Sequence, residues 1–218
     1  MFNCPYLPRL KKQYRNPDPD TYVRVLHASP NAPAVDVYVN NSPVFRNLSY
    51  RGFSQYIPLP GGGLYNIKVF PAGTTVNPVI NTNIFIPNGR IYTVAVIGEL
   101  SDISLLPIED PRIPITPGKA SIRFVHLSPD APNVDITLPN GTKLFSDVAY
   151  KEIERYINVN ASTYTLQMRI AGTNNIVLTV PNIRLVPNRF YTIYAVGFAS
   201  KSPGLQFLIP LDGNSYLH

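Results

Sequence analysis

Tryptophan is absent from this 218-residue sequence, methionine occurs twice and cysteine once. With Cys4 alone, neither an intrachain disulfide nor a multi-cysteine zinc site can form, so any disulfide would have to join two chains. Charged residues are also sparse at 15%, while a hydrophobic share of 44% excludes global disorder. No long apolar run is present. The longest, Phe190 to Ala199, is about half the ~20 residues a membrane helix needs and is broken by Thr192 and Gly197. It reads as a buried strand, and no membrane span is expected. Met1 to Leu10 lacks the apolar core of a Sec signal, being interrupted by Pro5 and Pro8. A surface protein with this sequence would arrive by another export route, by release of cell contents or after loss of a leader; a cytoplasmic location is the alternative.

What the sequence does hold points to β-structure. Its 23 prolines are excluded from helix interiors and central strands, which suits short strands joined by fixed turns. Fourteen Tyr and ten Phe supply β-favouring bulk. The net charge of +6 is partly local, since Arg9, Lys11, Lys12 and Arg15 lie near the beginning, followed by Asp18 and Asp20. The cations are not interleaved with aromatics as in single-strand binders, so nucleic acid is not an expected partner.

The sequence repeats itself. Val23 to Val37 recurs as Ile122 to Ile136 at an offset of 99 residues. The match continues through Tyr56-Ile57 with Tyr156-Ile157 and Tyr92-Thr93 with Tyr191-Thr192, ending at Gly98 and Gly197. A period near 100 suits a whole domain. The expected organisation is a basic, proline-rich arm at 1–20, one repeat at 21–110, a proline-rich linker at 111–118 and a second repeat at 119–218. Within each repeat, β-branched and aromatic segments are punctuated by Pro, Gly and Asn at the spacing of a sandwich, predicting seven or eight strands. Val35-Asp36-Val37-Tyr38-Val39 alternates, placing the valines on a core face. Pro60 to Gly63 reads as a hairpin connection, and Lys151 to Tyr156 is the best candidate for a short helical turn.

The stretch Arg-x-x-His-x-Ser-Pro-x-Ala-Pro-x-Val-Asp at Arg24 to Asp36 and Arg123 to Asp135 resembles the signature of the bacterial domain of unknown function 4397. The resemblance implies tandem immunoglobulin-like antiparallel β-sandwiches, an all-β fold, from a family found on bacterial surfaces and in endospore formers. It implies no reaction.

His27, Ser29 and Asp36, with His126, Ser128 and Asp135, invite reading as nucleophilic triads. Against this, His and Ser are two residues apart at a strand end, and no nucleophile elbow or oxyanion loop accompanies them. The preferred expectation is a brace in which Arg24, His27, Ser29 and Asp36, and Arg123, His126, Ser128 and Asp135, hold the Ser-Pro-x-Ala-Pro turn. No catalytic residue, metal site or cofactor is expected. The arm reads either as a tail or as a connector that docks on a neighbouring sheet edge, with Cys4 able to fix the contact. The leading expectation is a non-enzymatic structural protein of a bacterial surface, spore coat or spore appendage, associating with itself or with another surface or spore protein. The alternative is a monomeric module that binds glycan or peptide.

Overall fold

The computed structural model describes residues 21–60 and 62–217, so Cys4, the arm and His218 lie outside the described residues. The first copy contributes β1 (Thr21–His27), β2 (Val35–Val39), β3 (Ser42–Leu48), β4 (Ile57–Leu59), β5 (Gly63–Pro71), β6 (Ile80–Ile86), β7 (Ile91–Ile97) and β8 (Ser104–Glu109). The second contributes β9 (Lys119–His126), β10 (Val134–Thr137), β11 (Lys143–Val148), β12 (Ile157–Asn160), β13 (Ser162–Ile170), β14 (Ile176–Leu185), β15 (Arg189–Val196) and β16 (Gln206–Leu208). Apart from two 3-10 turns, no helix forms among the described residues.

Each copy is a sandwich of two four-stranded sheets. In the first, the inner sheet has the order β4-β1-β7-β8 and the outer sheet β3-β2-β5-β6. In the second, the orders are β12-β9-β15-β16 and β11-β10-β13-β14. All pairings are antiparallel except β1 with β7 and β9 with β15, which run parallel. Those two strands are separated by the whole excursion through the outer sheet, so no hairpin fixes their sense.

Alternation creates the cores. Tyr65, Ile67 and Val69 of β5 face inward with Val35 and Val37 of β2, while Leu64, Asn66 and Lys68 face out. In the second copy Leu166 and Met168 of β13 meet Phe124, Phe145 and Phe207. The first core contains an apolar cavity of about 30 Å³ among Val25, Val37, Phe45 and Val69.

The central inner-sheet strands β1, β7, β9 and β15 are buried on both faces. Leu26, Ala28, Ala95, Ile97 and Ile108 of the first copy share a third hydrophobic cluster with Val125, Leu127, Tyr194 and Val196 of the second. The two inner sheets therefore pack against each other, giving four layers with the outer sheets at the extremes. This explains Phe190 to Ala199: a run without alternation is a strand with two covered faces.

Two local expectations are corrected. Pro60 to Gly63 is not a hairpin, because β4 belongs to the inner sheet and β5 to the outer, so the segment crosses between layers. Lys151 to Tyr156 is not helical; Ile153 bridges to Val125, and the backbone bonds from His126 N to Glu152 O and from Glu154 N to Phe124 O tie the segment to β9.

Candidate functional site

The most concentrated chemistry lies where the inner sheets meet. Arg24 on β1 donates from Nε to Thr93 Oγ1 at 2.9 Å, from one terminal nitrogen to Leu211 O at 2.9 Å and from the other to Asp212 Oδ1 at 3.3 Å. Arg123 on β9 does the same in reverse, reaching Thr192 Oγ1 at 2.7 Å, Glu109 O at 2.5 Å and Asp110 Oδ1 at 2.5 Å. Each motif arginine thus pairs with the aspartate that ends the other copy. The carboxylates are completed from their own copies: Tyr56 donates to Asp110 Oδ2 at 2.5 Å, and Tyr156 to Asp212 Oδ2 at 2.6 Å. Arg24 also lies 4.6 Å from the centre of the Tyr56 ring and Arg123 4.7 Å from that of Tyr156. The reciprocity is that of an isologous dimer contained within one chain.

All four charged groups are buried, and two cations balance two carboxylates. Burial works against the Arg24 charge, but the nearby carboxylates of Asp212 and Asp110 hold the guanidinium protonated. Burial and the neighbouring Asp110 push the Asp212 carboxyl up to about 6, against the pull of Arg123 and Arg24. Burial also raises Tyr56 and Tyr156, so both phenols stay neutral donors. Gly213 seals one side. Its N–H donates to Asp110 Oδ2 at 3.1 Å, and a Cβ there would come within 2.6 Å of Ile91 Cγ2.

The other motif residues go elsewhere. Nε2 of His27 lies 2.9 Å from Pro33 O and that of His126 3.2 Å from Pro132 O, across the Ser-Pro-x-Ala-Pro turn. A carbonyl can only accept, so Nε2 carries the proton, and His126 Nδ1 accepts from Ser128 N at 3.3 Å. Burial lowers the pKa of both imidazoles, opposed by those carbonyl contacts. Ser29 donates to Gly98 O at 2.6 Å, whereas Ser128 reaches Asp130 Oδ1 at 3.4 Å. Asp36 is turned the other way, accepting from Asn47 N at 2.7 Å and Gly73 N at 3.0 Å. Asp135 accepts from Asp147 N at 2.8 Å and Gly172 N at 3.2 Å, with Lys143 Nζ at 2.6 Å. Asn47 and Asp147 have positive φ, so these aspartates hold a kink in β3 and β11. The bonds do not join Ser, His and Asp into a nucleophile, a base and an orienting acid. Among the described residues, no three His, Cys, Asp or Glu side chains gather into a metal-holding group, and no helix is long and apolar enough to cross a membrane.

Asp110, Asp212, Tyr56 and Tyr156 were not singled out by sequence reasoning. Tyr56 and Tyr156 stood in matching positions of the repeat, but Arg24 finds Asp212 188 positions away and nothing local announces it.

No curated protein matches the chain. Among solved structures, the C-terminal domain of AlgF from P. aeruginosa is 18% identical, covering 43% of this chain and 98% of that one with a TM-score of 0.34. The Bacillus anthracis TIE protein is 13% identical over 81% of this chain, which spans 33% of that protein, with a TM-score of 0.28. CBMbc, a family CBM26 domain of Eubacterium rectale Amy13K solved with maltoheptaose, is 8% identical over 88% of this chain and 96% of that one, with a TM-score of 0.27. Likeness at this level says nothing about ligand or partner. The family model described as Domain of unknown function (DUF4397) matches residues 21–137 and 138–215. Carrying its motif twice and folding as two sandwiches, the chain belongs to the DUF4397 family.

Proposed function

We propose that the chain is a non-catalytic structural subunit of a bacterial surface, spore coat or spore appendage, whose outer-sheet edges receive a strand from another copy. The observation that carries this reading is the edge strand β14. From Ile176 to Val180 it has no charge and no proline, and Ile176 and Val177 are 43% and 37% exposed. Natural edges are commonly blunted by lysine, proline or shortness; here Pro181 and Arg184 guard only the second half. The edge strand β6, Ile-Asn-Thr-Asn-Ile-Phe-Ile, is equally uncharged. Strand addition to such edges joins molecules through backbone hydrogen bonds. In this reading the motif histidines and serines stiffen the turns, the junction arginines keep the sandwiches from moving apart, and the arm with Cys4 serves as connector.

The test is the mass and electron-microscope appearance of the full chain, with and without reductant, beside a chain lacking residues 1–20 and an Ile176→Lys/Val177→Lys chain. Oligomers or filaments that either change abolishes are expected. A monomer in every condition would overturn the assembly reading in favour of a second one, a glycan-binding module. One observation favours that alternative: the outer face of β5 and β6 shows the amides of Asn66, Asn81 and Asn83 beside Phe85, which is 65% exposed.

A further inference from the structure

At the junction of the copies a groove follows the interdomain segment. One part, of about 380 Å³, is lined by Arg112, Ile113, Ile115 and Leu217. The adjoining part, of about 430 Å³, shares Ile113 and runs to Ile153, Glu154 and Tyr156. Its floor is apolar although it lies at the surface: Ile113, Ile115 and Ile153 are 41%, 38% and 38% exposed. Large aliphatic side chains brought together in this way mark a contact surface.

Hydrogen bonds through Gly89 link the start of β1 to Arg112 at the groove. Gly89 N donates to Thr21 Oγ1 at 2.9 Å, Gly89 O accepts from Arg112 Nε at 3.1 Å, and Arg112 donates onward to Leu217 O at 3.1 Å. Twenty residues precede Thr21. In their sequence Asp18 and Asp20 lie nearest Thr21, and Arg15, Lys12, Lys11 and Arg9 farther away. Arg112 lines the first part of the groove, and Glu154 lines the second together with Arg123, Arg155 and Glu109, whose carboxylate is paired with Arg90. Six extended residues cover about 20 Å. Leu10, Leu7, Tyr6 and Phe2 supply apolar side chains among the cations.

We propose that this groove is the seat of residues 1–20. The proposal rests on the reading of that segment as a connector and names the surface it takes. Because Thr21 is tied through Gly89 to Arg112 of its own groove, one copy can fill its own groove or exchange arms with a neighbour through the same contacts. Exchange of an identical element is a low-cost route to association.

The full chain tests this with trypsin, whose sites at Arg9, Lys11, Lys12 and Arg15 are shielded if the arm is seated. Ile113→Asp/Ile153→Asp should speed cleavage within the arm at least tenfold, without shifting thermal unfolding, and Phe85→Asp on the outer sheet should leave it unchanged. Equal cleavage in all three chains would overturn the proposal. If the double substitution lowers the unfolding temperature, a labelled peptide of residues 1–20 decides instead. It should bind the chain lacking those residues and be weakened by Ile113→Asp alone; failure of that effect, or of binding, overturns the seat. The mass of the same samples separates the two ideas. A monomer with a shielded arm keeps the seat and ends the assembly reading, whereas oligomers with an unshielded arm do the reverse.

Discussion

At the residue scale, the buried Arg24–Asp212 and Arg123–Asp110 pairs are demanding because each partner is costly alone. Arg24→Met should lower stability by about 3–5 kcal/mol, since it strands a buried carboxylate, and Arg24→Met/Asp212→Leu should recover most of that. Chemical denaturation of the two variants checks this; equal losses would mean the pair acts through packing alone. The histidines predict a pH dependence. His27 and His126 are held below their ordinary 6.5, chiefly by burial, so an unfolded chain takes up protons first as pH falls through that value. Their contribution is complete above 6.5 and declines below it. Asp212 acts in the opposite sense: raised from 3.8 to about 6, it binds a proton in the folded state before the unfolded one does, offsetting part of the loss below pH 6. Urea unfolding at pH 7.5 and 6.2 should show the native chain weaker at the lower value, and His126→Gln, which keeps a donor for Pro132 O, should reduce the difference. The histidine motif was legible in the sequence because the chain displays it twice. The ionic junction was not, because Asp110 and Asp212 precede Pro111 and Gly213 as aspartates of ordinary loops do, and only the meeting of two sheets buries them.

At the scale of elements, strands with strong β-branched content could be read directly: Val35–Val39 stands where the alternation places it, and the run from Phe190 lies in the buried strand β15. β3, Ser-Pro-Val-Phe-Arg-Asn-Leu, escaped because it pairs through a bulge and keeps no clean alternation. Glycines misled at Pro60 to Gly63, since they serve a crossing between layers as readily as a hairpin. The edge strand β14 carries its own prediction. With Ile176 and Val177 exposed, lysine at either should change monomer stability by no more than about 0.5 kcal/mol. A large loss in equilibrium unfolding would show that this edge is already covered. Gly197 is less tolerant: its φ is +92° and a Cβ would fall 2.2 Å from Gly204 O, so Gly197→Ala should destabilise the β15–β16 connection by more than 1 kcal/mol, read by the same measurement.

At the scale of the whole molecule, the inner sheets bind the copies through a hydrophobic cluster and two ion pairs, so both should unfold in one transition. Gly213→Val, which drives a side chain into Ile91 and Tyr56, should split that transition in two by calorimetry. A single unchanged peak would place the cooperativity elsewhere. The reciprocal junction also bears on how the faces differ. Two separate copies of one domain, paired in this manner, must show identical outer faces, and any change on one appears on both. Joined in one chain, they are released from that symmetry. Tyr38 touches Phe70 edge to face on one side of the molecule, with ring centres 5.1 Å apart. At the matching positions on the other side, Arg169 donates to Thr137 at 3.1 Å. The fusion has turned a two-fold object into one with a distinguishable front and back.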